Sequence, residues 1–140
     1  MQRLLGRHAD LIYGIMRIVI GALFACHGAQ KLFGAFGGPA MTGAPLMLAA
    51  GIIEFVGGVL VAVGFVASIA AFLCSGQMAV AYFMAHASKG FWPILNHGEP
   101  AVVYCFVFLC IAAHGSGRLS VDDIIGRVAT KRRGQGTDAR

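Results

Sequence analysis

Seven polar or ionisable side chains interrupt long apolar stretches of the sequence, and their chemical types suit proton transfer and ligand binding. The seven are Arg17, His27, Lys31, Glu54, Gln77, His86 and Glu99. Glu54 and His27 are the candidate catalytic residues, because carboxylates and imidazoles often take up and release protons in enzymes. The other five are candidate substrate-binding residues, since a few polar groups usually fix the orientation of a molecule bound in an apolar pocket.

The composition indicates that these side chains lie within a membrane protein. Of the 140 residues, 58% are hydrophobic and 12% are charged, and the mean hydropathy is +0.76. These values differ from those of ordinary soluble domains. Residues 55–88 contain no Asp, Glu, Lys or Arg, and this run is longer than the roughly 20 residues that one transmembrane helix needs. Two helices must therefore share it.

Glycine and proline residues divide the apolar sequence into four segments. Connecting stretches such as GAFGGPAMTGAP and SKGFWPILNHGEP are rich in residues that favour turns. We expect transmembrane helices at about 11–33, 45–64, 66–87 and 100–116. The predicted fold class is all-α, an integral membrane bundle of four antiparallel helices. Residues 1–125 form the predicted transmembrane domain, and residues 126–140 form a basic, polar tail.

Basic residues flank the apolar segments on one side. Arg3 and Arg7 precede the first helix, and five basic side chains follow the fourth: Arg118, Arg127, Lys131, Arg132 and Arg133. Because Lys and Arg are enriched in cytoplasmic loops, both termini and the tail are predicted to be cytoplasmic, in a multi-pass protein of the inner (plasma) membrane. The net charge of +5 is interpreted as this topology signal rather than as a nucleic-acid-binding surface. The expected partner is the lipid bilayer, not nucleic acid.

Helical rise places three of the polar side chains at similar depth. Counted from the outer helix ends at about 1.5 Å per residue, His27 lies about 9 Å, Glu54 about 13 Å and Gln77 about 15 Å down its helix. We expect these side chains to form one buried polar layer. A carboxylate at this depth needs a cation or a proton, and Arg17 and His27 are the two predicted partners. Glu54 then either belongs to a proton path or ligand site, or has the purely structural role of holding helices together.

Glycines on the first helix predict how it packs. Gly14, Gly21 and Gly28 recur every seven residues, so they lie nearly on one line of the helix surface. Small residues let helices approach closely in lipid, and the pair Gly57 and Gly58 offers the same on the second helix. These seams predict close helix packing, and they also suit association into a homo-oligomer.

The sequence offers few candidates for a metal or haem site. Cys110 and His114 lie four residues apart on one helix face, but two ligands make a weak motif, and no metal site is predicted. His27 and His86, near the outer ends of the first and third helices, are conceivable haem ligands. Single histidines near helix ends are more often hydrogen-bonded structural groups, so haem is not expected. A quinone that binds without a covalent link is the cofactor that suits the apolar surroundings.

Five short stretches of the sequence occur in a characteristic order and spacing. They are HGAQKLFG at the end of the first helix, GIIEFVGGVLVAVG in the second, KGFW after the third, HGEPAVVY at the start of the fourth and GSGRLSVD after it. Together they resemble the DoxX family of small four-helix membrane proteins, over residues 13–123. The resemblance implies that the family's recurrent polar positions are His27, Lys31, Glu54 and Glu99, with Arg17 among them. GFVAS after the second helix departs from the family, whose members often carry a basic residue there.

The resemblance favours one of three function classes. DoxX relatives include a subunit of thiosulfate:quinone oxidoreductase and membrane components of thiol-oxidative-stress complexes, which implies a membrane subunit of an oxidoreductase system. Such a subunit would bind a quinone or a small sulfur or redox species in a polar intramembrane pocket open to the outer face. A soluble or membrane oxidoreductase partner would supply the redox cofactors, because no dinucleotide-binding motif is present. The alternatives are a scaffold that recruits soluble redox enzymes without chemistry of its own, and a small-molecule or proton transporter.

Overall fold

The protein is helical throughout the part of the chain that the structure, a computed structural model, describes. That part comprises residues 5–137, with side chains as far as residue 131. Its α-helices are α1 (Ala9–Phe33), α2 (Pro45–Val63), α3 (Ala67–Ala81), α4 (Pro93–Asn96), α5 (Glu99–His114) and α6 (Val121–Thr137). No β-strand occurs between residues 5 and 137. The prediction of an all-α protein is confirmed.

Three helical stretches are long and apolar enough to cross a membrane: Gly6–Phe33, Pro45–Val63 and Ala67–Lys89. The fourth expected span, 100–116, falls on α5, which is also apolar but has 16 residues. Large apolar side chains are exposed along these helices, among them Ile15, Phe72 and Phe106 at 50%, 63% and 61%. Exposed surface of this kind is energetically favourable against hydrocarbon. Length and composition therefore support contact with a lipid bilayer.

Helices α1 and α2 pack closely because glycines line their contact. A Cβ atom at Gly21 would lie 2.5 Å from the Ala62 nitrogen, and one at Gly58 would lie 2.5 Å from the Ala25 nitrogen. Gly28 is equally close to α2, because a Cβ there would lie 2.6 Å from the Phe55 Cα. Any side chain at these positions would push the two backbones apart. The glycine line of the first helix thus sets the register of α1 against α2.

Helix α3 returns beside α2 and packs mainly against α5. A tight turn joins α2 to α3, and in it Gly64 takes the left-handed conformation that glycine adopts without strain (φ 71°). Between α3 and α5, the Ser75 hydroxyl donates to the Cys105 carbonyl at 2.8 Å. Phe108 on α5 is fully buried and meets Phe24 of α1 edge-on, with ring centroids 4.6 Å apart. This aromatic contact closes the core between α1, α3 and α5.

The end of α3 departs from α-helical geometry. It continues as a π-helical turn over Tyr82–His86 and then as a 3₁₀ turn over Ala87–Lys89. π-Helical turns are rare and are frequent at functional sites. Asn96, which is 2% exposed, fixes the following loop by donating to the Gly90 carbonyl at 2.6 Å and accepting from the Gly98 nitrogen at 2.8 Å. The π-helical turn is therefore held against an ordered loop.

Helix α6 crosses the boundary at residue 125 that was expected to separate the transmembrane domain from the tail. It begins with Ser120 as its N-cap, whose hydroxyl accepts from the Asp123 nitrogen at 3.1 Å. Four apolar residues with helical spacing are 36–63% exposed on it: Val121, Ile124, Ile125 and Val128. Residues 138–140 of the expected tail, and Arg3 of the expected topology signal, lie outside the described residues. An apolar stripe on a polar segment was not predicted.

Candidate ligand site between the helices

The candidate site is a cavity of about 770 Å³ between α2 and α3. The two helices touch at Gly57, where an added Cβ would collide with the Cys74 sulfur. Away from their shared turn, beyond this contact, they separate around the cavity, which reaches from Glu54 and Gln77 to Leu46 on α2 and His86 on α3. α1 and α5 complete its wall. The cavity therefore lies in the half of the helices that is remote from the α2–α3 turn.

Glu54 is the most deeply buried ionisable side chain in the cavity wall. It is 1% exposed. Its Oε1 atom accepts from two donors, the Lys31 ammonium of α1 and the Gln77 amide of α3, the latter at 2.9 Å. The ion pair with Lys31 is half-buried, since the Lys31 side chain is 26% exposed. We call Lys31, Glu54 and Gln77 the Glu54 site.

The predicted partners of Glu54, Arg17 and His27, are both wrong. The physical reason is helix register. Gly51 lets α1 approach α2 so closely that a Cβ there would lie 3.2 Å from the Lys31 Cβ. Lys31 therefore lies beside α2 one helical turn from Glu54, and its long side chain extends along the apolar wall to the carboxylate.

Two acceptor atoms of the Glu54 site receive no hydrogen bond. Glu54 Oε2 and Gln77 Oε1 are buried without a hydrogen-bond donor. The Gln77 amide is oriented by Glu54, because the opposite orientation would set two oxygens against each other. A buried acceptor without a donor costs about 1–3 kcal/mol. The site is thus arranged to receive a donated hydrogen bond or a proton.

His27 and Tyr104 flank the Glu54 site in the cavity wall. Their rings meet edge-on with centroids 6.1 Å apart, and Tyr104 in turn stacks on Phe108 at 5.8 Å. His27 is exposed along the helix surface. His27, Glu54 and Gln77 all line the cavity. The expected buried layer is not formed as predicted, because His27 is exposed, Gln77 is half-buried and only Glu54 is buried. Tyr104 was not among the predicted site residues.

His86 lines the far end of the cavity. Its Nδ1 lies 3.0 Å from the Asn96 carbonyl, and its ring stacks on Tyr82 with centroids 6.4 Å apart. Asn96 also donates to the Tyr82 hydroxyl at 3.3 Å. The loop thus holds His86 in place as part of the wall. Asn96 and Tyr82 were not predicted to belong to the site. The sequence feature that could have indicated them is a pair of polar residues in and before a loop rich in glycine and proline.

A comparison with family models matches residues 13–87 to DoxX. The chain belongs to the DoxX family. It is also similar to an uncharacterised protein of Haemophilus influenzae, with 37% identity over 126 residues, which cover 85% of this chain and 94% of that relative. No solved structure matches the chain. The family resemblance inferred from short motifs is confirmed, and membership indicates a membrane protein.

In this DoxX protein, Arg17 lies apart from the cavity. It is fully buried, and its guanidinium donates to the Val61 carbonyl, to the Ala62 carbonyl at 2.8 Å and to the Leu119 carbonyl at 2.7 Å. The first two belong to the last turn of α2, whose carbonyls carry partial negative charge. The Val61 carbonyl also accepts from the Gly64 nitrogen at 3.2 Å. We call this group the Arg17 site. Arg17 therefore caps a helix, and the expectation that it reaches toward Glu54 is wrong.

The loop after α5 is folded onto the Arg17 site. The Tyr13 hydroxyl donates to the Gly115 carbonyl at 2.6 Å. Asp122 accepts from the Ser116 hydroxyl and from the Val66 nitrogen, the latter at 3.2 Å. The hydrogen bond from Ser116 is the largest cause that lowers the pKa of Asp122, and the Val66 nitrogen adds to it. The GSGRLSVD motif thus supplies a structural connection rather than cavity residues.

Glu99 is exposed in the first turn of α5 and does not line the cavity. A carboxylate there suits the helix dipole. As for metal ligands, the described residues contain no group of three or more His, Cys, Asp and Glu side chains that could hold an ion. Of the seven predicted site residues, the structure brings together five, namely His27, Lys31, Glu54, Gln77 and His86, and places Arg17 and Glu99 elsewhere.

Proposed function

We propose that this DoxX protein is the membrane subunit of an oxidoreductase system and binds a quinone or quinol in the cavity beside Glu54. The observation that carries the proposal is the junction of an apolar cavity with a buried carboxylate whose Oε2 atom lacks a donor. Ligand pockets of about 300–1,000 Å³ with a few convergent polar groups are typical small-molecule sites. A small sulfur species is the second ligand class that the family resemblance implies.

The residues of the Glu54 site have distinct roles in this proposal. Lys31 and Gln77 hold the carboxylate through Oε1, which keeps Oε2 available to bind a hydroxyl group or take up a proton. The apolar wall excludes water and strengthens these contacts. A bound quinone supplies exchange of two electrons and two protons. A partner oxidoreductase donates the two electrons that reduce the quinone, and His27 is the next protonatable group along the wall that can supply a proton to this reduction.

The proposed topology has four spans, about 11–33, 45–64, 66–87 and 100–116, in the inner (plasma) membrane. Both termini and the tail from residue 126 are cytoplasmic, and the cavity lies toward the outer face. Gly43 and Gly126 have open space around them, so they suit cysteine substitution. We expect a membrane-impermeant thiol reagent to label Gly43→Cys in sealed cells but not Gly126→Cys. Labelling of Gly126→Cys without lysis would overturn the orientation.

Binding is tested with the full chain in lipid nanodiscs. We expect quinone or quinol to co-purify in mild detergent, or to bind when added, and Glu54→Gln to reduce binding. Asp10→Asn is the matched control, because Asp10 is an exposed carboxylate outside the cavity. Absence of binding by folded wild-type protein would contradict the proposal. Equal binding by wild type and a folded Glu54→Gln variant would remove the carboxylate from it.

The second candidate function is the scaffold, and the apolar stripe of α6 favours it. Ile124, Ile125 and Val128 are 63%, 53% and 49% exposed beside basic side chains, which suits attachment of a soluble partner or of the lipid surface. Replacing Ile124 and Ile125 by Ser separates the two functions. If the protein is a scaffold, these replacements should release the co-purifying enzyme, and Glu54→Gln should not. If it is a ligand-binding subunit, Glu54→Gln should reduce ligand binding, and the replacements on α6 should leave ligand binding unchanged.

A further inference from the structure

Two features of the cavity indicate how its ligand enters and which oxidation state of the ligand it prefers. Both points rest on the proposed function, because they describe the ligand of the same site. The first comes from the side chains at the cavity margin, and the second from the hydrogen-bonding inventory of the Glu54 site.

The margin of the cavity is apolar and faces outward from the helices. Ile53 of α2 is 36% exposed, and on α3 Leu73 and Val80 are 59% and 52% exposed, although all three line the cavity. Met84 in the π-helical turn is 59% exposed and lines it too. In a helix that crosses a membrane, exposed apolar side chains of this kind contact hydrocarbon. The gap between α2 and α3 therefore opens sideways into the lipid.

The helix contacts explain why the gap lies there. α2 and α3 are held together at the Gly64 turn and at the Gly57–Cys74 contact, but they part beyond Glu54 and Gln77. Two other helix seams beside the cavity are packed, because α1 contacts α2 through glycines and α3 contacts α5. A ligand that enters between α2 and α3 must be soluble in hydrocarbon.

The hydrogen-bonding inventory favours a ligand that donates. Three buried side-chain atoms in the described part of the chain lack a partner: Arg17 Nε, Glu54 Oε2 and Gln77 Oε1. The latter two belong to the Glu54 site, and both are acceptors. The Gln77 amide nitrogen and the Lys31 ammonium already donate to Glu54 Oε1. A hydroxyl head group finds an acceptor in Glu54 Oε2 or Gln77 Oε1, whereas a quinone carbonyl sets a further acceptor against them.

We infer that the cavity is filled from the hydrocarbon phase through the gap between α2 and α3, and that it prefers the reduced, dihydroxy form of a lipid-soluble aromatic ligand. The ligand class is a hydroquinone with an apolar tail. A hydroxyl of its head group donates to Glu54 Oε2 or Gln77 Oε1, and its tail leaves through the gap.

The preference for the reduced form is tested by equilibrium binding under anaerobic conditions, with the full chain in nanodiscs. The probes are decyl-hydroquinone, the corresponding decyl-quinone and the dimethyl ether of the hydroquinone. We expect the hydroquinone to bind about tenfold more tightly than the other two, because a hydrogen bond to a charged group contributes enough for one such factor. Gln77→Leu and Glu54→Gln should each reduce this preference. Gln77→Leu leaves the ion pair between Lys31 and Glu54 intact, so it still tests the preference if Glu54→Gln does not fold.

The route is tested with a bulky side chain in the gap. Gly76 lines the cavity, and no atom lies within 4 Å of a Cβ built there, so Gly76→Phe is expected to fold. Ala113→Phe is the matched control, because Ala113 is exposed on α5 away from the cavity. We expect Gly76→Phe to slow both association and dissociation of decyl-hydroquinone, and Ala113→Phe to leave both rates unchanged.

The outcomes separate this inference from the proposed function. If none of the three probes binds, the proposed function fails and the inference fails with it. If hydroquinone and quinone bind equally, the preference for the reduced form is overturned while the proposed function stands. If Gly76→Phe leaves both rates unchanged, the lateral route is overturned in the same way. A slower Gly76→Phe variant and a hydroquinone preference that depends on Gln77 support the inference.

Discussion

Two buried charged side chains, Arg17 and Glu54, are accommodated in opposite ways in the same helical protein. Arg17 is surrounded by backbone carbonyls of α2 and of the loop after α5. Those acceptors are fixed once the helices have formed. Glu54 is held by side chains from two other helices, and its second oxygen has no donor. Arg17 Nε also lacks a partner, but Arg17 does not line the cavity, whereas Glu54 does.

The difference separates a structural charge from a candidate functional one. A guanidinium among backbone carbonyls satisfies groups that the end of a helix leaves unpaired, so it stabilises the fold. A carboxylate with an unsatisfied oxygen beside a cavity adds little to stability, because part of its hydrogen-bonding capacity is unused. Burial and charge alone do not distinguish the two. The partners do.

The largest effect is expected at the Arg17 site. Arg17→Gln removes the guanidinium that donates to the carbonyls of Val61, Ala62 and Leu119, and we expect a loss of about 3 kcal/mol in the free energy of unfolding. Arg118→Gln is the control, because Arg118 is exposed. The measurement is reversible unfolding in mixed micelles, with ligand binding measured alongside. If Arg17→Gln were as stable as the wild type, Arg17 would not be a charge that stabilises the fold.

A smaller effect is expected at the Glu54 site. Glu54→Gln removes the carboxylate from Lys31, and because Lys31 is partly exposed we expect a loss of about 1–2 kcal/mol. Lys31→Met combined with Glu54→Gln should recover much of that loss, since it removes the cation left unpaired. A double-mutant cycle measures the coupling.

The same cycle with Arg17 in place of Lys31 sharpens the comparison. Arg17 and Glu54 share no hydrogen-bond partner in the structure, so their effects should add to within about 0.5 kcal/mol. A strong coupling between Arg17 and Glu54, or none between Lys31 and Glu54, would show that the two sites are not independent.

The sequence predicted the helices better than the contacts between polar side chains. Apolar runs and the breakers Gly34 and Gly64 mark where helices end, because these glycines take left-handed conformations that stop a helix. The residue types of the Glu54 site were also recognisable, since ionisable groups stand out in an apolar segment. These features depend on local sequence.

The partner of Glu54 depended on the register between two helices, which local sequence does not specify. Depth along each helix suggested His27, and charge suggested Arg17. The contact that decides the matter is the close approach at Gly51, which brings Lys31 next to α2. Arg17 was misassigned for a related reason, because the carbonyls that it caps belong to the ends of other segments. A prediction that first aligned the glycine seams of α1 and α2 would have placed Lys31 near Glu54.

The smallest effect is expected where the loop after α5 meets the α2–α3 turn. Asp122 accepts from the Ser116 hydroxyl and the Val66 nitrogen, and its folded-state pKa is lowered. A lowered folded-state pKa means that the group stabilises the fold above its unfolded pKa of about 4, and that this contribution is lost as the pH falls through the folded value. We expect stability to decline below about pH 4 in the wild type. Asp122→Asn should lower stability near neutral pH and flatten the decline, as unfolding measured from pH 6 to pH 3 would reveal. A decline of the same size in Asp122→Asn would assign the acid sensitivity to a group other than Asp122.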